Sequence, residues 1–158
     1  MPFYTHQGQI PPKRHTTFKK ADGSLYYEEL VSREGFSSMY SNLYHLRRPT
    51  RVNNVGNLEK SELTNAAKKH RPRHLTTSDI QSGNDALSSR TSLFYNDDVI
   101  ISVSGVKNNS EFFYRNGIGD EILYIQSGNG SLHTNLGNLD FKSGDYIVIP
   151  RGIIWQLN

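Results

Sequence analysis

Histidine spacing offers one candidate metal site in this chain. Among the six histidines, His70 and His74 have the i, i+4 spacing that places two imidazoles on one face of a helix. Pro72 lies between them and disfavours that helix. The next acidic residue is Asp79, so the sequence favours a solvated basic loop over a metal site here.

Nucleophilic catalysis has little support in the residue types. Cysteine is absent, which excludes thiolate nucleophiles, thiolate-bound zinc and iron–sulfur clusters. Serine, histidine and aspartate all occur, but no G-x-S-x-G turn presents a serine. His133 stands in a predicted strand on the face opposite Leu132, where we expect the imidazole to be exposed.

The stretch of residues 119–152 combines turn residues and one carboxylate at a recognisable spacing. Its matching residues are Glu121, Gly128, Gly144, Pro150 and Gly152. The intervals between them resemble the two sequence motifs of cupins, a family of small antiparallel β-barrels. Glycine and proline at such positions set tight turns between strands, so we expect these residues to have a structural role.

The metal ligands of the cupin motifs have no counterpart in this chain. Counting back from Glu121, the two motif histidines fall at 114 and 116, or at 115 and 117. Those positions hold Tyr114, Arg115, Asn116 and Gly117. The third histidine position holds Trp155, whereas a facial Fe(II) site needs two imidazoles and a carboxylate. The sequence predicts no catalytic, cofactor-binding or metal-binding residue here, and a hydrogen-bonding or turn role for Glu121.

A longer, ordered series of segments resembles the N-terminal part of homogentisate 1,2-dioxygenases. The segments are HQGQIPPKRHTTF at 6–18, DGSLYYEELVSREGFSSMYSNLYHLRRPTRV at 22–52, RHL at 73–75, LFYNDDVIISV at 93–103 and the cupin-like stretch at 112–152. Because the series runs nearly end to end, it is far more specific than the cupin spacing alone.

The resemblance implies a family that opens the aromatic ring of homogentisate with O2, giving maleylacetoacetate in tyrosine and phenylalanine catabolism. It implies a non-haem Fe(II), held by two histidines and a glutamate in a second, C-terminal cupin half, and assembly as trimers or pairs of trimers. No iron ligand of the family maps onto this sequence. We therefore expect the N-terminal part of such a protein, inactive alone and without a cofactor of its own.

Two alternatives remain open from the residues themselves. One is a non-catalytic cupin module that serves folding or oligomer assembly. The other is a cupin that binds a small sugar or aromatic ligand, for which Tyr124, Tyr146 and Trp155 would line the barrel. The competing interpretation is that these three side chains simply fill the barrel interior.

Composition divides the chain into unlike parts. Leu, Ile, Val and Phe make up 16 of the first 91 residues but 23 of the last 67. The net charge is +6 over residues 1–91 and −3 over residues 92–158. We predict an N-terminal arm with sheet elements at 1–50, a long connection at 51–92 and a metal-free cupin half-barrel at 93–158.

Alternating apolar residues and Gly/Asn turns carry the fold-class prediction. From residue 93 onward, short stretches with a period of two are separated by turns such as Gly128-Asn129-Gly130 and Ser143-Gly144-Asp145. This spacing predicts a mainly β protein with a cupin-like antiparallel jelly roll, not necessarily complete. Residues 36–44 fit either one helical face or short strands, and residues 61–69 fit a short helix.

Partners and location follow from charge and hydropathy. The basic run 68–73 is not accompanied by a nucleic-acid-binding motif, and it has too few positive charges to form a phosphate-binding surface. We therefore expect no nucleic-acid partner. No apolar run reaches the length of a membrane span, and the first residues do not resemble a signal peptide. We expect a cytoplasmic homo-oligomer, in which the aromatic residues of the arm or the 51–92 connection contact a neighbour.

Overall fold

The structure is a computed structural model that describes residues 18–32, 34–49, 51–58, 63 and 71–158. Ten strands form within these residues, and no helix forms among them. The strands are β1 Tyr27–Ser32, β2 Tyr40–His45, β3 Thr91–Tyr95, β4 Ile100–Val103, β5 Tyr114–Arg115, β6 Glu121–Tyr124, β7 Asn129–Thr134, β8 Gly137–Lys142, β9 Tyr146–Ile149 and β10 Ile154–Leu157.

Every pairing between these strands is antiparallel. β1 pairs with β2, β3 with β4 and β6 with β9, while a four-stranded sheet has the order β5-β10-β7-β8. Strands that are distant in sequence thus become neighbours, as in a jelly roll. The predicted mainly β, cupin-like architecture is confirmed, although the sheets do not close into a barrel within the described part of the chain.

The segment that fitted either a helix or a strand is a strand. β2 pairs along its whole length with β1, from Tyr27 opposite His45 to Ser32 opposite Tyr40. The helical interpretation was wrong because cross-strand pairing satisfies the backbone of both segments, and Phe36 and Met39 remain exposed outside β2. The helix predicted at 61–69 lies outside the described residues, apart from Leu63.

The hydrophobic core gathers side chains from three strands and one turn. Its buried members are Leu132, Ile147, Ile149, Ile153 and Trp155. Trp155 is the largest of them and is 1% exposed. The strict alternation of β9 explains the contribution of Ile147 and Ile149, because successive side chains of a strand point to opposite faces.

Two tyrosines that were expected inside a barrel lie on the outer face of the sheet formed by β6 and β9. Tyr124 and Tyr146 are directly paired across β6 and β9, and their rings contact each other at a tilt of 37° with centroids 4.8 Å apart. Both point away from the core, since Leu123 and Ile147 occupy the inner face of the same two strands. The barrel-filling interpretation is therefore correct for Trp155 and wrong for these two residues.

The glycines of the cupin-like motif form turns, as predicted. Gly144 and Gly152 have φ angles of 93° and 86°, in the region that side-chain-bearing residues rarely adopt. The Gly144 amide donates to the Ile125 carbonyl over 2.8 Å, and the Gly152 amide donates to the Asn116 carbonyl over 2.7 Å. These turns bring β9 and β10 into position beside β6 and β5.

A hydrogen-bonded turn precedes β3. Its centre is Asp85, which is 4% exposed and accepts hydrogen bonds from the backbone amides of Leu87 and Ser88. Its other carboxylate oxygen accepts from the Ser88 hydroxyl, and these bonds hold the pKa of Asp85 below its ordinary value. The turn and the start of β3 at Thr91 lie within the predicted 51–92 connection, and the three-part division of the chain stays a prediction.

Replacing Leu132 with alanine tests the core. Leu132 is 2% exposed, so its truncation leaves a cavity and should lower the free energy of unfolding by about 2–5 kcal/mol. Urea unfolding, followed by the fluorescence of the single tryptophan, measures the change. Leu139 is the cross-strand partner of Leu132 on the outer strand β8 and is 64% exposed. Leu139→Ala should therefore cost less than about 1 kcal/mol; equal losses would contradict this placement of the core.

Candidate functional site

Glu121 lies at the start of β6 with its side chain 9% exposed. A carboxylate this deeply placed needs hydrogen-bond donors and a cation nearby. It has both: one oxygen accepts from Arg90 Nη1 over 2.6 Å, and the other accepts from Trp155 Nε1 over 3.1 Å. The hydrogen-bonding role expected for Glu121 is therefore observed.

Arg90 is the residue that the sequence analysis missed. It precedes β3, and its Nε donates to the Ala86 carbonyl over 3.3 Å, so the turn around Asp85 positions the guanidinium. Its guanidinium carbon lies 5.9 Å from the ring centroids of both Tyr114 and Trp155. One feature of the sequence could have indicated such a residue. Glu121 lies in an apolar strand without the motif histidines, so its carboxylate requires a cation from elsewhere in the chain.

The two aromatic rings of this cluster are held by the four-stranded sheet. Tyr114 on β5 is the cross-strand partner of Trp155 on β10. Their rings meet edge to face at 81°, with centroids 5.5 Å apart, an arrangement favoured by aromatic quadrupoles. We call Arg90, Tyr114, Glu121 and Trp155 the Arg90 cluster.

The Arg90 cluster does not fit a bound Fe(II). Positions 114, 121 and 155 of the cupin-like motif converge, but they supply a phenol, one carboxylate and an indole N–H that can only donate. The carboxylate is already paired with a guanidinium. Across the described part of the chain, no three His, Asp or Glu side chains gather as a set of metal ligands.

The structure describes His74 and His133 among the histidines singled out in the sequence. His70 lies outside the described residues, and His74 is exposed in an irregular segment. His133 was expected to be exposed but is half-buried, because Asn158 Nδ2 lies 3.1 Å from its Nδ1. Of the basic run 68–73, the structure describes residues 71–73, which are exposed.

A shallow cavity of about 340 Å³ borders the Arg90 cluster. Tyr114 and Ile154 line it on one side, and Arg51 and Phe113 also contribute to its wall. The volume lies at the lower end of the range for small-molecule sites. Phe113 is 57% exposed, so the cavity opens to solvent rather than into the core.

Comparison with known proteins relates this chain to part of a longer protein. The chain is 42% identical over 161 aligned residues to a protein named "Putative dioxygenase" from Saccharolobus solfataricus. The alignment covers 100% of this chain and 41% of that protein, so the chain spans about two fifths of the length of the curated relative it matches. No family model and no solved structure matches the chain.

The fold and the comparison together define a class. The chain is a mainly β, cupin-like protein that is similar along its whole length to part of a protein named as a dioxygenase. Among the described residues, no helix is both long and apolar enough to cross a membrane.

Tyr114 should make the stability of the fold sensitive to alkaline pH. Burial raises the pKa of Tyr114 above its ordinary value of 10.0, the charge of Glu121 raises it further, and the charge of Arg90 opposes this. The folded chain therefore favours the neutral phenol. The resulting stability is fully present below the unfolded pKa and is lost as pH rises through the higher folded pKa.

The measurement is the unfolding midpoint between pH 8 and pH 11, from about two units below to about one unit above the ordinary pKa of tyrosine. Tyr114→Phe should lose less stability across the alkaline end than the unsubstituted chain. Tyr40→Phe is the matched control, because Tyr40 is 55% exposed, and it should follow the unsubstituted chain. Superimposable alkaline profiles for Tyr114→Phe and the unsubstituted chain would show that Tyr114 is not coupled to folding.

Proposed function

We propose that this chain is the N-terminal cupin portion of a homogentisate 1,2-dioxygenase-like protein. The observation that carries the proposal is the 42% identity, along the whole chain, to a longer protein named as a dioxygenase. The mainly β fold and the ordered segments that resemble homogentisate dioxygenases support the same assignment. In this proposal the iron ligands belong to a second, C-terminal cupin half.

The residues of this chain then have a supporting role. Fe(II), when bound in the C-terminal half, would supply the binding of O2 and of the aromatic substrate. The Arg90 cluster takes no part in that chemistry, because its carboxylate is engaged by Arg90 and Trp155. Its contribution is to hold β3, β5, β6 and β10 together around the core. The catalysed reaction adds both atoms of O2 to homogentisate and yields maleylacetoacetate.

The decisive experiment compares this chain with the protein encoded by its complete reading frame. Both are reconstituted with Fe(II) under anaerobic conditions, desalted and analysed for iron. Oxygen uptake is then recorded with homogentisate and, as a control, with 3-hydroxyphenylacetate, which keeps one of the two ring hydroxyls of homogentisate and lacks the other. We expect iron retention and homogentisate-dependent uptake from the complete protein, and neither from the chain of residues 1–158.

Two results would overturn the assignment. The first is an iron-loaded complete protein that consumes no O2 with homogentisate. The second is near-stoichiometric iron in the short chain that is lost on Glu121→Ala, which would place a metal site where we propose none. Labelling with ¹⁸O2 completes the test, because a dioxygenase delivers both labelled atoms to the product.

A second candidate function, oligomer assembly, is favoured by one exposed surface. The outer face of β6 and β9 consists of Ile122, Tyr124, Tyr146 and Val148, which are 56–71% exposed. Ile122 lies directly opposite Val148, and Tyr124 lies opposite Tyr146, so the four side chains form one continuous apolar face. Contiguous apolar surface of this kind marks an interaction site on a folded protein. We propose that a second copy of this chain covers it.

Light scattering coupled to size-exclusion chromatography tests this candidate over a concentration series. Ile122→Lys places a charge in the middle of the face and should shift the chain to monomer. Ile118→Lys makes the same change at a position that is 92% exposed in the loop between β5 and β6, and should leave the assembly unchanged. A monomer at every concentration, or equal effects of the two variants, would contradict self-association through this face.

A further inference from the structure

Three of the four ligand positions of the cupin motifs converge on a guanidinium, when the two motif histidines are counted at 114 and 116. Tyr114, Glu121 and Trp155 occupy these three positions. The fourth, Asn116, instead accepts hydrogen bonds from the Ile118 and Gly119 amides of its own turn. Arg90 lies among the first three, 2.6 Å from the carboxylate and 5.9 Å from each ring centroid. A cation therefore sits at this position, and the chain itself supplies it.

We infer that Arg90 is an internal replacement for the motif's metal ion, which makes this cupin half a cation-held scaffold that folds without metal. The inference concerns only residues of this chain, so it does not depend on the dioxygenase proposal. It assigns a role to Arg90 and a reason for the retained Glu121, neither of which the comparison with the Saccharolobus protein provides.

The chemistry of the site suits arginine in particular. Guanidinium is planar, carries its charge at every accessible pH and is weakly hydrated, so it tolerates a partly buried position beside a carboxylate. Arg90 Nη1 donates to Glu121, and Arg90 Nε donates to the Ala86 carbonyl, so two N–H groups of the guanidinium bond acceptors in different directions. The aromatic rings of Tyr114 and Trp155 add a cation–π attraction, which is stronger when the guanidinium is shielded from water.

Removal of Arg90 leaves Glu121 as a deeply placed carboxylate with only the indole N–H as donor. Such a loss is strongly destabilising, because the desolvation cost of the remaining charge is no longer offset. A lysine keeps the charge but has neither the fork nor the planar stacking surface. The inference therefore predicts an order of stability, with arginine above lysine and lysine above alanine.

Thermal unfolding of the 158-residue chain, with and without a chelator, gives the first test. The chelator should not change the unfolding temperature. Arg90→Ala should lower it by roughly 5–10 °C, and Arg90→Lys should lower it by an intermediate amount. Arg151→Ala removes an exposed arginine from the turn before β10 and serves as the matched control, with an expected change within about 2 °C.

Chemical rescue separates the role of the cation from a loss of packing alone. Millimolar methylguanidinium, well below denaturing concentrations, should raise the unfolding temperature of Arg90→Ala and leave that of Arg151→Ala unchanged. The fluorescence of Trp155, the single tryptophan, should shift on Arg90→Ala and return with the added cation, because its N–H bonds Glu121.

A double-substitution cycle keeps the test informative if Arg90→Ala does not fold. Arg90→Lys, Glu121→Gln and the combined variant should be strongly non-additive, because the two groups form one pair. Additive effects would overturn the inference. So would a rise in unfolding temperature when Fe(II) is added to the unsubstituted chain, if Glu121→Gln abolished that rise, because the metal would then occupy the position assigned to Arg90.

Discussion

The carboxylate of Glu121 is the constraint around which the folded part of this chain is arranged. Its two oxygens are bonded by Arg90, which precedes β3, and by Trp155 on β10. Trp155 is also the largest core side chain and the cross-strand partner of Tyr114 on β5. The two hydrogen bonds of Glu121 therefore link three strand pairings, β3–β4, β5–β10 and β6–β9, to the hydrophobic core. A charge placed this deeply is tolerated only while both partners remain in position.

The same arrangement shows how this mainly β fold holds a deeply placed carboxylate without the ligands of a metal site. The glycines of the motif still form the turns, and its glutamate still points inward. The positive charge beside this glutamate comes from the Arg90 side chain. Strand order and turn geometry are thus separable from metal chemistry. Strand order and turns depend on backbone conformation, whereas metal binding depends on particular side chains.

The surface of the described chain is unusually apolar on the outer face of β6 and β9. The tilted rings of Tyr124 and Tyr146 contact each other there, and both side chains are exposed within the described residues. Contiguous apolar surface of this kind is typical of an interaction site. The Arg90 cluster and this face lie on opposite sides of β6 and β9.

The amino-acid sequence by itself determined the local features. The period of two predicted the strands beyond residue 93, the glycine spacing predicted the turns at Gly144 and Gly152, and the motif count identified Glu121 as a hydrogen-bonding residue without metal ligands. Only the tertiary structure decided that residues 40–45 pair with β1 instead of forming a helix, and that Tyr124 and Tyr146 face outward. It also decided that Arg90, 31 positions before Glu121, completes the pair. Periodicity and turn preference act between near neighbours, whereas the face that is buried and the partner of a charge depend on contacts between residues far apart in sequence.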